Sequence, residues 1–482
     1  MFDLRPVGFV IGLLVAVLGL TMIVPMLMDL ADGNAHWPNF AISGFLSCLC
    51  GGALAIATAN SRKVGLTVRQ TFLLTTSIWL ILPIFGGLPF MFGATEARFI
   101  DAFFEGMSGM TTTGSTVFSG LDDLPRGLLL WRGLLQWFGG VGIIVVAMVF
   151  LPELKVGGMQ IFRTESFETF GKILPRAAEM ARSISGIYVG LTIACVAAYL
   201  AVGLQPFDAV VHALTTLSTG GFSTYDASFG TFQGPAEYVA SVFMILASMP
   251  FTRYVQFVAG SARPLWRDVQ VRDFLAVISV FVLVITLFRI VFNGDHMEHS
   301  FREALFNVTS IISGTGYASV DYQLWGHFPI VLFFLVGLIG GCAGSTCCSV
   351  KVFRYRLLMV SLWSQMRKIH SPSGIFRPQF DGRTVSEDVL SSVMAFFILF
   401  MVSLAVLSAL LAMTGLDMIT SISGAATALA NVGPGLGDQI GPSGNFAGLN
   451  DTAKWLLIFA MLLGRLELMS VFVLFSFSFW RR

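Results

Sequence analysis
Ten stretches of this chain are apolar over a length that would cross the hydrocarbon core of a bilayer. They cover residues 7–28, 40–59, 71–92, 130–151, 183–204, 236–259, 273–293, 327–350, 388–414 and 453–479. A helix of about 20 apolar residues is enough to cross, and these runs are far too long for barrel strands. No water is available in lipid to satisfy backbone N–H and C=O groups, so helix is the form that remains. The sequence therefore predicts an all-α polytopic membrane protein. Composition agrees: 55% of the 482 residues are hydrophobic, 12% are charged, and the mean hydropathy is +0.79, well above a water-soluble globule. The first run is longer than the apolar part of a signal peptide and no convincing cleavage site follows, so it is expected to be a retained helix.

Charge orients the spans. Basic residues cluster in alternate loops: Arg62, Lys63 and Arg69; Lys155, Arg163, Lys172, Arg176 and Arg182; Arg263, Arg267 and Arg272; then Lys351, Arg354, Arg356, Arg367, Lys368, Arg377 and Arg383. Together with Arg5, Arg481 and Arg482 they predict that both termini and these four loops face the cytoplasm. The opposite loops are acidic, with Asp101, Asp122, Asp226, Asp321 and Asp438 among them, which would concentrate cations at an entrance. A net charge of +1 gives no reason to expect nucleic acid as a partner. The six cysteines have no paired spacing and no histidine set beside them, so neither disulfides nor a transition-metal site is expected.

The outward loops repeat. Each holds a short apolar segment followed by a glycine-bearing tetrad: DAFFEGMSGMTTTGSTVF from Asp101, DAVVHALTTLSTGGFST from Asp208, FREALFNVTSIISGTGYAS from Phe301 and ITSISGAATALANVGPGLGD from Ile419. Aligned on the last glycine, the tetrads are Thr111-Thr112-Thr113-Gly114, Ser218-Thr219-Gly220-Gly221, Ser313-Gly314-Thr315-Gly316 and Val432-Gly433-Pro434-Gly435. A period of roughly a hundred residues is a whole membrane module. Segments too short to span should be re-entrant, and irregular backbone at membrane depth is tolerable only where it is buried in protein or lines a wet cavity. Four such modules around one axis would present backbone carbonyls that replace the hydration shell of a monovalent cation, with the negative helix ends adding a favourable field. The fourth tetrad is the least regular, since Pro434 has no N–H.

With these four tetrads, the sequence resembles the membrane subunits of the Trk potassium uptake system, the TrkH/TrkG type, within the Trk/Ktr/HKT superfamily. The resemblance covers essentially the whole chain and implies two leading helices and four pseudo-symmetric helix–pore-helix–helix modules around one central ion pore. The corresponding division is 1–69 for the leading helices and 70–155, 183–260, 272–350 and 388–482 for the modules, with a cytoplasmic segment at 351–387. It further implies that K+ binds at the backbone carbonyls of the four tetrads. Gly114, Gly221, Gly316 and Gly435 would fill the four positions that accompany potassium preference. The stretch GLIGGCAGSTCCSVK, Gly337 to Lys351, is too rich in glycine and small polar residues to hold a straight helix well. The resemblance makes it an intramembrane gating loop at 337–350, with Gly337, Gly340, Gly341, Cys342, Ala343, Gly344, Ser345 and Thr346 as gate residues. The alternative is close helix packing through Gly337, Gly341 and Ser345 at four-residue spacing. Arg465, a charge in the middle of the last span, is expected to point into the pore beneath the filter, where it would repel a cation or bind the loop's carbonyls. Gly139, Gly140 and Gly142 of WFGGVGIIV, which also matches, are expected to permit close helix approach only.

The implied function is gated potassium uptake across a bacterial cytoplasmic membrane, driven by the electrochemical gradient. The alternative is a potassium symporter coupled to protons or sodium. An enzyme is not expected: no nucleotide-binding motif, HExxH or serine–histidine pairing is present. The chain itself should bind no cofactor. Nucleotide regulation would come through a partner, a cytoplasmic ring of RCK domains of the TrkA type, docking on the basic loops 152–182 and 351–387 of a homodimer surrounded by membrane lipid.

Overall fold
The computed structural model describes residues 3–61, 66–149, 158–159 and 173–481. Arg62, Lys63, Lys155, Arg163, Lys172 and Arg482, and most of the loop 152–182, lie outside them. Among the described residues, seven helices are long and apolar enough to cross a membrane: Arg5–Ala31, Trp37–Ala57, Val68–Phe92, Arg126–Ile144, Glu179–Ala201, Val269–Asn293 and Glu387–Met413. Their outer surfaces carry large exposed apolar side chains such as Leu20, Phe45, Ile193, Leu283 and Ile398, while Ser, Thr, Asn and charged residues are packed inside. That is the distribution expected when lipid is the solvent.

Among the described residues, three of the ten expected crossings are not continuous helices. The run 236–259 divides into Pro235–Ala247 and Phe251–Val258, bent by 91°. Pro250 has no N–H to donate and disfavours helical backbone in the residue before it, so the chain turns there. The run 453–479 divides into Asp451–Arg465 and Met469–Phe475, bent by 106°. Glu467 and Leu468 lie at positive φ in that bend, and the Glu467 carboxylate is ion-paired with Arg354. The run 327–350 is helical only over His327–Gly337. Beyond it Ile339–Gly340 pairs in parallel with Val350–Lys351, closing the intervening residues into a loop before the helix Val352–His370 begins. The small-residue packing alternative for this segment is thereby corrected, because Gly341 and Ser345 are not on a helix at all.

The first two spans approach closely. A methyl on Gly12 would come within 2.7 Å of the Gly51 carbonyl oxygen, and one on Gly19 within 2.8 Å of that of Gly44. Four shorter helices, Phe99–Met110, Pro206–Leu217, Met297–Ser313 and Met418–Ala430, each follow a long span and stop inside the protein. Asp101, Asp208 and Glu298 sit in the first turns of three, and Asp417 accepts from the N–H groups of Ile419 and Thr420 at the start of the fourth. These acids suit the positive helix ends. The first and fourth units are clamped on one side by Lys454, whose ammonium donates to Asp101 at 2.6 Å, and by Arg98, which bridges Asp101 and Asp451.

Candidate ion pathway
All four short helices end alike. The N–H of Thr113 reaches back to the Ser108 carbonyl (2.9 Å), that of Gly220 to Thr215 (2.9 Å), that of Thr315 to Ser310 (2.9 Å), and that of Val432 to Thr427 (3.1 Å). The residue before each donor is left-handed: Thr112 at φ 52°, Thr219 at 51°, Gly314 at 76° and Asn431 at 52°. The residue after each donor is a glycine at positive φ, Gly114, Gly221, Gly316 and Gly433. Two independent geometric markers therefore set the register. The fourth tetrad equivalent to the others is Ala430-Asn431-Val432-Gly433, two residues earlier than alignment on Gly435 places it. Pro434 follows on the outward strand, and Gly435 donates its N–H to the Ile440 carbonyl (2.7 Å) in the next turn. The misalignment arose because GPG offers two glycines, and the left-handed asparagine that marks the register is not a glycine.

Holding a β-branched threonine at positive φ is costly, about 1–3 kcal/mol at each such site. Thr112 and Thr219 both adopt it in fully packed surroundings. The reward is a closed ring of backbone. A methyl on Gly114 would overlap the Gly220 carbonyl oxygen, one on Gly221 that of Thr315, and one on Gly316 that of Val432. The circuit closes where a methyl on Gly433 would lie 2.9 Å from the Thr113 oxygen. Each repeat thus abuts the third-position carbonyl of the next, in the order one, two, three, four, one. Only glycine fits at the four contacts.

Side chains brace this ring from outside. Glu105 and Arg132, both buried, pair at 2.9 Å. Arg132 also donates to the Ser223 carbonyl (2.8 Å), and Glu105 accepts from the Val117 N–H (3.0 Å), so one ion pair holds the strands after the first and second tetrads. Gln136 donates to the Gly220 carbonyl and accepts from the Phe222 N–H. The Tyr317 hydroxyl bonds Thr215 across the second and third units. His212 is held between the Asp208 carbonyl and Ser223 Oγ. Outside the ring lies a cavity of about 240 Å³, lined by Gly114, Gly221, Gly316, Gly433 and Pro434 together with Tyr225, Asp226, Ser443 and Asn445.

On the inner side sits the loop after Gly337. Cys348 Sγ is 3.9 Å from Thr112 Oγ1. The loop docks on the broken helix of the second module: Cys342 N–H donates to the Ser248 carbonyl (3.0 Å), Thr346 to the Ala247 carbonyl (3.0 Å through its hydroxyl), and Phe251 N–H to the Gly344 carbonyl (3.0 Å). Ala343 N–H donates to Gln270 (3.0 Å), and Ser345 Oγ to the Cys342 carbonyl (2.7 Å). Gly340 and Gly341 allow the loop to fold onto Cys348 and Cys347, where side chains would collide. Gly337 itself has room for one, so its place is that of a helix end.

Arg465 is buried and forks between two elements. One guanidinium nitrogen donates to the Thr346 carbonyl (3.3 Å) and contacts Cys348 Sγ; the other donates to the Gly139 carbonyl (3.0 Å). Its geometry therefore joins the loop to the second helix of the first module. Gly139 and Gly140 stand where a methyl would overlap the Met110 carbonyl and the Tyr188 hydroxyl, respectively, which is the close approach expected of them, whereas Gly142 has room for a methyl and does not meet that expectation. Glu467 meets Arg354 of the helix after the loop. The sequence reading missed Glu105, Arg132, Gln136, Asn431 and Cys348. Arg132 carried a usable signal, a charge two residues inside the span 130–151, matched by an acid inside an apolar re-entrant segment. Among the described residues no group of three or more His, Cys, Asp and Glu side chains could hold a metal ion.

Comparison with known proteins gives a family. A family profile described as a cation transport protein, TrkH, matches residues 36–481. The Trk system potassium uptake protein TrkI of Halomonas elongata is 41% identical over 99% of this chain and 97% of its own. TrkG of Escherichia coli is 34% identical, covering 99% of each. The crystal structure of the potassium transporter TrkH from Vibrio parahaemolyticus superposes over the full length of both chains with a TM-score of 0.91 at 33% identity. The all-α modular architecture, the ring of four tetrads and these full-length matches agree, and the chain belongs to the TrkH family of cation transport proteins.

Proposed function
We propose that this chain takes up potassium ions passively through the axis of the tetrad ring. One observation carries the reading: four glycines at positive φ, one per repeat, each abut the carbonyl of the next repeat in a closed circuit. The filter consists of Thr111–Gly114, Ser218–Gly221, Ser313–Gly316 and Ala430–Gly433, with Pro434 and Gly435 leading outward. Their carbonyl oxygens replace water around K+, and the C-terminal ends of four helices contribute negative potential. The loop 337–350, pinned by Arg465, is the gate. Two leading helices and four modules divide the chain, and the cavity of about 240 Å³ is the outer vestibule. In a bacterial cytoplasmic membrane with both termini inside, the membrane potential supplies about 2.3 kcal/mol per charge per 100 mV, enough to drive entry.

The relatives' names describe potassium uptake within a Trk system. By the same resemblance we infer a homodimer regulated through a cytoplasmic RCK-domain ring of the TrkA type, which would carry any nucleotide response. The basic end of Val352–His370, with Arg367 and Lys368, and the hairpin Gln379–Phe380/Arg383–Thr384 supply a docking surface at the far end of the helix that follows the gate. The test is rubidium uptake by liposomes containing the purified chain. Uptake that potassium competes away and sodium does not supports the reading. Uptake that occurs only with a proton or sodium gradient overturns it.

A further inference from the structure
We propose that Asn431 sets the separation of the first and fourth filter strands, and through it the discrimination among monovalent cations. This inference rests on the filter reading above and adds a positioning residue to it. Asn431 is fully buried at the left-handed end of the fourth re-entrant helix. Its amide nitrogen donates to Thr113 Oγ1 at 2.9 Å and to the Met461 carbonyl at 3.0 Å. One side chain therefore ties the fourth tetrad to the first, and both to the helix Asp451–Arg465 that ends in the gate arginine.

The direction of these bonds is fixed by the neighbours. Thr111 Oγ1 donates to the Met107 carbonyl (2.7 Å), so the Thr113 hydroxyl proton goes to Thr111 Oγ1 (2.7 Å), and Thr113 Oγ1 is left to accept. Met461 offers a carbonyl, which can only accept. Both bonds therefore require a donor at position 431, and the two amide protons supply them. The amide oxygen is left buried without a partner, packed where a methyl on Gly464 would come within 2.6 Å. A buried unpaired acceptor is unfavourable, which is an expected consequence if the nitrogen's two bonds dictate the orientation. Asparagine also tolerates positive φ better than longer or branched residues.

Nothing equivalent stands at the matching positions Thr112, Thr219 and Gly314, where other side chains brace the ring. Arg132 and Gln136 hold the first and second strands, and Tyr317 the second and third units. Between the fourth and first, Asn431 shares the task with Ser115 Oγ, which donates to the Gly433 carbonyl at 2.8 Å. Losing the amide would leave that junction to bonds farther out, those of Ser115 and of the Phe446 N–H to the Thr116 carbonyl (2.8 Å).

The experiment compares potassium, rubidium and sodium flux through the full chain in liposomes for wild type, Asn431→Asp, Asn431→Ala, Thr113→Val and the Asn431→Ala/Thr113→Val double variant. Asn431→Asp preserves shape and leaves at most one donor, the proton of a neutral carboxyl, for two acceptors; Thr113→Val reaches the same brace from its other end if a 431 variant fails to fold. The expected result is a loss of potassium-over-sodium preference of roughly tenfold in each single variant, with no further loss in the double variant. A wild-type chain that discriminates, with variants that discriminate equally or a double variant whose losses multiply, overturns the bracing role alone. A wild-type chain that does not discriminate overturns the filter reading and this inference with it.

Discussion

At the scale of single residues, the pathway depends on groups whose tolerance for change is set by burial. Glu105 and Arg132 are both below 2% exposed, and removing one member leaves the other charged and unpaired in the protein interior. Such a loss costs about 3–5 kcal/mol. Glu105→Ala should therefore lower the thermal unfolding midpoint of the detergent-solubilised protein by many degrees, and an unchanged midpoint would refute the pairing. Gly221→Ala acts differently: its methyl has nowhere to go but the Thr315 carbonyl. It should abolish selective flux while most of the fold survives, as judged by gel filtration and helix content. Arg465 makes two hydrogen bonds from a buried cation, each about 1.5–3 kcal/mol for a charged donor. Arg465→Ala should loosen the loop and remove a positive charge from beneath the ring. Passive rubidium flux is expected to rise at least about tenfold, the equilibrium shift of ~1.4 kcal/mol; a fall in flux would show that the arginine holds the pathway open.

At the scale of elements, breaks in helices matter more than the helices. Apolar length alone located seven runs that are long helices among the described residues, because the bilayer dictates that length. It could not show that 236–259, 327–350 and 453–479 are interrupted, since a bend is decided by local backbone. Pro250 was a readable signal for the first interruption and the glycines at 337–344 for the second. The third rests on Glu467 and Leu468 at positive φ beside Arg354, a tertiary arrangement with no mark in the local sequence. The tetrads were legible through their glycines in three repeats and misplaced by two residues in the fourth, where asparagine takes the left-handed position. Each re-entrant helix also needs its outer end held. Hydrogen bonds from Thr420 and from the Ile419 N–H keep the Asp417 carboxyl below the usual carboxylate range. A carboxylate with a depressed folded-state pKa stabilises above its unfolded value, about 3.9, and that contribution disappears as pH falls through the folded value. Asp417→Asn should therefore narrow the difference in unfolding midpoint between pH 7 and pH 3; an unchanged difference would mean that the cap does not contribute.

At the scale of the whole molecule, four repeats make one object that none could make alone. Each tetrad completes its contacts only against the next, and the circuit closes through Gly433 and Thr113, parts of the chain more than three hundred residues apart. The Arg98, Asp101, Asp451 and Lys454 cluster reinforces that closure from one side. Lipid-facing surfaces are apolar, and the buried acids Glu105, Glu237 and Glu303 are each paired with an arginine. The central claim is that the axis of this ring conducts potassium passively and selectively. Its most direct test is the reversal potential of liposomes containing only this chain, with potassium on one side and sodium on the other. The account predicts a potential that follows the potassium gradient, is unmoved by an imposed proton gradient, and drifts towards zero in Gly114→Ser. A potential that tracks protons or sodium as strongly as potassium would contradict it.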